Sequence, residues 1–489
     1  MKRLDGLLEN IDVIAMTADR LQSVGGVAAD SKRVRPNDLF VAIRGGAADG
    51  NDYIGEAAAK GAAAVVSDDA KKAAGSGLPY VAVSDAREAY AYISSNFFDN
   101  PSRAMRFIGV SGTNGKTTTA HMIRHILSRN GIKTGLVGTL GNIVDERTEE
   151  TDMTTPDPYE FFALLRRMAD CGCGAVVSEV SAHAIYLKKI EPVTADVAVF
   201  TNCSQDHLDF FETMERYSAV KKSYFKRDRA RTVVVNADDG LGVDIINTSD
   251  AKVVSYGVKN PSDVFAVNIG LAVGRSAFYA NVFDEIIDIS LPLSGLFNVY
   301  NALAAITAAR LSGISLPDIR ESLTTLPEIP GRFNIIKGGG RDFILDYAHS
   351  PDGLKKVLTA ARKITKGGLI SVFGCGGDRD RTKRPLMGEI SAVYADFTIL
   401  TSDNPRFERP VDIIRDIEKG LKGITTEYLT IIDREEAIKK AYESAKKGDV
   451  IVVAGKGAEN YMDAMGVKTP YGDRETILKI IGGTKNGDI

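Results

Sequence analysis

Short apolar runs that stop in clusters of polar residues recur along this chain. Phe107-Ile108-Gly109-Val110 leads into Gly112-Thr113-Asn114-Gly115-Lys116-Thr117-Thr118-Thr119. Behind that turn, Ala120, Ile123 and Leu127 share one face of a helical period that stops at Asn130-Gly131. Ala175-Val176-Val177 ends in Ser178-Glu179-Val180-Ser181-Ala182-His183. Val197-Ala198-Val199-Phe200 ends in Thr201-Asn202 and then Asp206-His207-Leu208-Asp209. Val233-Val234-Val235 ends in Asn236-Ala237-Asp238-Asp239. The same rhythm returns late in the chain. Ile344-Leu345 ends in Asp346-Tyr347-Ala348-His349, and Leu369-Ile370-Ser371-Val372-Phe373 in Gly374-Cys375-Gly376-Gly377-Asp378-Arg379. Thr398-Ile399-Leu400 ends in Thr401-Ser402-Asp403-Asn404-Pro405-Arg406, and Val450-Ile451-Val452-Val453 in Ala454-Gly455-Lys456-Gly457-Ala458-Glu459.

This pattern predicts an α/β protein of three domains, as the length of 489 residues also suggests. Breaks at Asn100-Pro101 and at Ile329-Pro330-Gly331-Arg332 put the units at residues 1–101, 102–332 and 333–489. The expectation is a central parallel-sheet ATPase-like domain built on a phosphate loop. An N-terminal α/β domain and a C-terminal Rossmann-like α/β domain would flank it. In an open parallel sheet, ligands bind beyond the carboxyl ends of the strands. Lys116, Glu179 and His207 can therefore converge although they lie far apart in sequence.

The stretch 112–119 carries the clearest chemistry. A glycine-rich turn between strand and helix points its N–H groups at one place, and the helix dipole adds positive potential there. Lys116 supplies a mobile cation and Thr117 a hydroxyl for magnesium, a design suited to a nucleoside triphosphate. The usual phosphate-loop spacing has glycine where this chain has Val110; here the glycines fall at 109 and 112. Glu179 and His207 offer a hard oxygen and an imidazole for magnesium. By themselves they read equally as a capping acid and a half-buried histidine. Asn298 and Asn301 can bond an adenine edge, or Asn298 can cap a helix. Arg332 and Asp346 flank the hinge and can seize phosphate and ribose. Ser31 and the glycine-rich loop at 45–50 read, from the residues alone, as turn chemistry. The glycines at 374–377 lack the dinucleotide fingerprint.

Composition narrows the class further. The net charge of −3 supplies no basic field for nucleic acid or an anionic membrane. No apolar run is long enough to span a bilayer, and acidic residues come too early for a signal peptide. Cys171, Cys173, Cys203 and Cys375 have neither zinc-site nor disulfide spacing, so reduced thiols and a cytoplasmic protein are expected.

Taken together these residues resemble the Mur ligase family, the ATP-dependent amide-forming enzymes of peptidoglycan precursor synthesis. The resemblance runs the whole chain in order: the Thr-Asn-Gly-Lys-Thr-Thr loop, Glu-Val-Ser-Ala-His, Asn202 to Asp209, Phe-Asn-Val-Tyr-Asn, Pro-Gly-Arg at 330–332 and Asp-Tyr-Ala-His. Within the family the chain is most similar to the branch that adds the third amino acid, to UDP-N-acetylmuramoyl-L-alanyl-D-glutamate. The pointers are Asp30-Ser31, Ala-Asp-Gly at 48–50, Thr154-Thr155-Pro156, Gly-Cys-Gly-Gly-Asp-Arg and Asp-Asn-Pro-Arg.

The resemblance implies an acyl-phosphate mechanism, with ATP as co-substrate and Mg2+ as cofactor. It makes Lys116, Glu179, His207 and Lys221 catalytic. Gly112, Thr113, Asn114, Gly115, Lys116, Thr117, Thr118, Asn298, Asn301, Arg332 and Asp346 become ATP contacts. Thr117, Glu179 and His207 become metal ligands, joined by Lys221 if CO2 carbamylates it. Ser31, Gly46, Ala47, Ala48, Thr154, Thr155, Ser181 and Lys189 become contacts of the UDP-muramoyl dipeptide. Arg379, Asp403, Asn404, Arg406, Gly455 and Glu459 become the amino-acid pocket. In the family, Asp-Asn-Pro-Arg goes with meso-diaminopimelate, and the physics agrees, because a guanidinium can grip that substrate's far carboxylate bidentately. The partners implied are small molecules only, with no nucleic acid and no membrane insertion, and the chain is expected to be a monomer. Two departures stand out. Ala458 replaces a frequent histidine, and Leu187-Lys188-Lys189 replaces Gln-x-Arg, so that Lys189 keeps the charge without the fork. Lysine as the added amino acid, a folylpolyglutamate synthase-like ligase and a nucleotide-dependent regulatory protein remain the alternatives.

Overall fold

Three large sheets and two two-stranded ones carry the described residues, in a computed structural model that describes residues 1–46, 48–424 and 427–484. Ala47, expected at the UDP-substrate site, lies outside the described residues. The first sheet has five strands, ordered Val13–Met16, Tyr80–Val83, Ala64–Ser67, Leu39–Ala42 and Val27–Ala28. All pairings are parallel except that of Val13–Met16 with Tyr80–Val83. Helix Ala86–Phe97 starts at Asp85, whose side chain accepts from the N–H groups of Arg87 and Glu88. The end of this helix meets the next domain: Phe97 and Phe98 pack on Tyr159 at ring distances of 5.8 and 5.0 Å.

The central sheet has eleven strands. Its middle is parallel, in the order Thr134–Val137, Ala175–Glu179, Arg106–Ser111, Ala195–Phe200, Ala230–Asn236, Lys252–Gly257 and Val264–Ala272. Both edges are antiparallel: Asn142–Val144 with Arg147–Glu149 on one side, Arg275–Val282 with Glu285–Leu291 on the other. The sheet is therefore mixed rather than parallel throughout. The cause is visible in burial. Ala175–Glu179 is buried at every residue because helices cover both faces, whereas Arg275–Val282 alternates exposed and buried because water wets one face. The alanine-rich helix Leu296–Leu311 and the helix Lys116–Arg129 share one apolar core with this sheet. The alanines of Leu296–Leu311 let it pack close to the helix Lys116–Arg129.

The third sheet orders Asn334–Ile336, Asp342–Asp346, Val450–Ala454, Leu369–Phe373, Phe397–Leu400 and Glu427–Thr430. It is parallel but for its first strand. A hairpin, Tyr461–Ala464 with Val467–Pro470, projects from it towards the central domain. There Lys468 pairs with Asp152 at 2.6 Å.

Candidate active site

The glycines of the phosphate loop do two jobs. Gly112 and Gly115 have φ of +149° and +87°, and a Cβ at either would collide with Thr201 Oγ1 or Asn301 Oδ1 respectively. The loop can thus bend into the helix Lys116–Arg129 while touching its neighbours. Those neighbours clamp it. Thr201 Oγ1 and Asn202 Nδ2 donate to the Asn114 carbonyl at 2.7 and 2.9 Å, and the Asn114 N–H donates to Asn202 Oδ1 at 3.0 Å. Thr113 Oγ1 lies 3.1 Å from the Tyr217 hydroxyl.

Lys116 Nζ donates to the carbonyls of Gly112 and Thr113 at 2.9 and 2.8 Å, and burial lowers its pKa. Thr117 Oγ1 donates to Glu179 Oε2 at 3.0 Å and accepts from Arg332 Nη2 at 3.0 Å. Glu179 is fully buried, and its carboxylate also accepts from the N–H and hydroxyl of Thr139. Arg332 also lies over the Tyr347 ring, 4.5 Å from its centroid. Asp346 accepts from the N–H groups of Phe333 and Ala348, both at 2.7 Å. Burial pushes its carboxyl up despite Arg332 and those bonds.

One cavity of about 910 Å³ gathers these groups. Its wall includes Thr113 to Thr118, Glu179, His207, Asn301, Arg332 and Asp346. Thr154, Thr155, Ser181, Lys189 and Arg379 line it as well. The convergence of Lys116, Glu179 and His207 expected from the strand ends is therefore present. His207 has φ of +56°, and burial brings its imidazole down to about 3, so the ring is neutral at physiological pH. Its Nε2 lies 3.5 Å from Asp206 Oδ2.

Other expected residues sit elsewhere. Asn298 faces away from the cavity: its Nδ2 donates to the Ser294 carbonyl at 2.8 Å and its Oδ1 accepts from Asn301 Nδ2 at 3.1 Å. It orients Asn301 instead of meeting a ligand. Nor is it a cap, since the N-cap of that helix is Gly295. Gly112 contributes its backbone, not the cavity wall. Lys221 is buried behind the loop with Nζ 4.7 Å from the Tyr217 ring centroid. Burial and the nearby Lys116 bring its amine down to about 7. Ser31, Gly46 and Ala48 belong to the first sheet's loops and do not line this cavity; Ser31 Oγ donates to Glu56 Oε2 at 3.0 Å.

Asp403, Asn404, Arg406, Gly455 and Glu459 form a second cluster at the ends of the third sheet's strands. Asn404 Nδ2 donates to Glu459 Oε2 at 2.8 Å, and Arg406 Nη1 donates to the Gly377 carbonyl at 2.7 Å. Of the residues expected in the amino-acid pocket, Arg379 alone lines the large cavity. Among the described residues no three His, Cys, Asp or Glu side chains gather closely enough to hold a metal ion by themselves.

Three family models match this chain. They are the Mur ligase family catalytic domain over residues 23–98, the Mur ligase middle domain over 110–309 and the Mur ligase glutamate ligase domain over 331–457. A UDP-N-acetylmuramoyl-L-alanyl-D-glutamate–2,6-diaminopimelate ligase from Caldanaerobacter subterraneus is 44% identical over 94% of this chain and 95% of its own.

The chain belongs to the Mur ligase family. A solved structure of a UDP-N-acetylmuramoyl-L-alanyl-D-glutamate–2,6-diaminopimelate ligase aligns with a TM-score of 0.70 at 30% identity, covering 99% of both chains. The MurF ligase of Thermotoga maritima, solved with ADP, aligns at 0.64 and 21% identity over 95% of this chain and 98% of its own, a likeness of fold alone.

As a Mur ligase the molecule also shows groups that the strand-end reading missed. Asp206 is buried between domains, with Lys383 Nζ 3.3 Å from Oδ1 and His349 Nε2 3.5 Å from Oδ2. Burial would raise its carboxyl, but Lys383 and His349 outweigh that and hold it well below the usual range. Asn114 Nδ2 crosses the same cleft to Asp352 Oδ2 at 2.9 Å. Asp206 stood in a strand-end cluster and was legible as a candidate. Nothing local marks Lys383 or Asp352, which lie on helices of another domain.

Proposed function

We propose that this protein joins meso-diaminopimelate to the D-glutamate of UDP-N-acetylmuramoyl-L-alanyl-D-glutamate with ATP, in the cytosol. The domains would be 1–101 for the UDP end, 102–332 for ATP and 333–489 for the amino acid. The single supporting observation is the shared cavity, which is lined together by the phosphate loop, by Thr154, Thr155 and Ser181, and by Arg379 of the C-terminal part of the chain.

The loop N–H groups and Lys116 hold and neutralise the triphosphate, while Arg332 meets it from the hinge side. The glutamate γ-carboxylate attacks the terminal phosphorus, ADP departs and an acyl phosphate results. The amine of the amino acid then attacks the acyl carbon, and phosphate leaves as the amide forms. Asn114–Asp352 and Asp206–Lys383 join the second and third domains across the cleft, which keeps water from the acyl phosphate. Unchanged solution radius of gyration on adding ATP and substrates would overturn domain closure as a step.

Mg2+ takes oxygen ligands and is usually held by one or two carboxylates together with substrate phosphates. The Thr117 hydroxyl and the buried Glu179 carboxylate fit that demand, and His207 lines the same cavity. Bound there, the ion would neutralise charge on the phosphates. Lys221 fits carbamylation, because burial lowers its amine to about 7, so that about half of it is the free base that adds CO2 at neutral pH. ADP release with the UDP-dipeptide, comparing meso-diaminopimelate, lysine and ornithine, tests the reading. Release that ignores both the amino acid and the dipeptide would overturn it.

A further inference from the structure

Lys456 is the most completely enclosed charge in the C-terminal cluster, at 0% exposure. The backbone turns it inward. Gly455 and Gly457 on either side have φ of +114° and +54°, and a Cβ at each would press on Asp403 or Tyr347. The ammonium lies 2.9 Å from Asn404 Oδ1, 3.0 Å from Glu459 Oε2 and 5.4 Å from the Tyr461 ring centroid. An ammonium is a donor only, so the oxygen of the Asn404 amide must face it. The Asp463 N–H donates to the same oxygen at 2.9 Å. The amide nitrogen must then face the Glu459 carboxylate, which is an acceptor only. Neither group can turn over without setting donor against donor or acceptor against acceptor.

We infer that Lys456 is a positioning residue for the amino-acid substrate. It fixes the direction of the Asn404 amide and holds Glu459 by Oε2, so that Oε1 and the second Asn404 N–H would serve the substrate's polar end. This inference rests on the amino-acid pocket proposed above and assigns it a buried support that contacts no substrate. A bare point charge suits the role. It satisfies two oxygens from one atom, and the turn that closes on it, Glu459 N–H to Lys456 carbonyl at 2.9 Å, brings the carboxylate to it.

Lys456→Met removes the charge and keeps the length. The expected result is a KM for diaminopimelate at least tenfold higher, with KM for ATP and for the UDP-dipeptide within twofold of the parent. Lys456→Gln, which can still donate one hydrogen bond, should fall between the two and serves if the Met variant does not fold. Adding Glu459→Gln to Lys456→Met should cost less than threefold more, because the two substitutions undo one arrangement. Equal rises in all three KM values, or fully additive effects, would overturn the inference. Wild-type protein that shows no diaminopimelate-dependent ADP release would instead sink the functional reading. The positioning role is then read from a crystal structure of Lys456→Met. A rotated Asn404 amide and a detached Glu459 support it, and an unchanged pair refutes it.

Discussion

The phosphate-loop end of this molecule and the C-terminal cluster proposed as its amino-acid end are built on opposite plans. The phosphate end is one unbroken run of chain, strand Arg106–Ser111, turn and helix Lys116–Arg129, and its partners brace it from adjacent strands. The amino-acid end takes Gly377 and Arg379 from one strand end, Asp403 to Arg406 from a second and Gly455 to Glu459 from a third. A hairpin supplies Asp463, whose carbonyl accepts from the Arg406 N–H at 3.0 Å. A contiguous site is set by local geometry and serves any ligase that handles ATP. A site assembled from several loops can change its ligand by changing one loop, and that is where specificity would be expected to reside.

Substitutions at the two ends should therefore fail differently. Lys116→Ala should have the largest effect, a loss of about 10³-fold or more in ADP release with every amino acid, since on the proposed mechanism it removes a charge that neutralises the transferring phosphoryl group. Arg406→Ala should cost about 100-fold on meso-diaminopimelate, in line with truncating a charge-paired carboxylate contact, yet less than about threefold on lysine. Equal losses on both amino acids would show that Arg406 shapes the loop without gripping the substrate.

Lys221 should sharpen the contrast through pH. Its amine is lowered in the folded state, so the unfolded chain binds the extra proton between about pH 7 and the ordinary lysine range. Stability carried by this group is missing below about 7 and is gained as pH rises above it. In CO2-free buffer, the parent should thus gain melting temperature between pH 7 and 9 relative to Lys221→Met; parallel curves would disprove it. The smallest effect is expected at Lys468→Ala. Its partner Asp152 is largely exposed, and solvent screening leaves such a pair little influence. Its KM values should stay within twofold of the parent, and a larger change would promote the hairpin from bystander to participant.

The chain's local patterns determined the parallel cores, the phosphate loop and the polar strand ends, because apolar runs and glycine-rich turns are short-range features. The antiparallel edge at 275–291 was harder to read. Ser276 and Ala280 point inward while Ala277 and Tyr279 point outward, so hydrophobicity does not separate the two faces. Only the tertiary structure decided that Asn298 turns away to hold Asn301, that Asp206 meets Lys383, and that Lys456 is buried between Asn404 and Glu459. Each is a contact between segments far apart in sequence or between side chains whose direction the backbone alone does not set, and such contacts exist only once the sheets have packed.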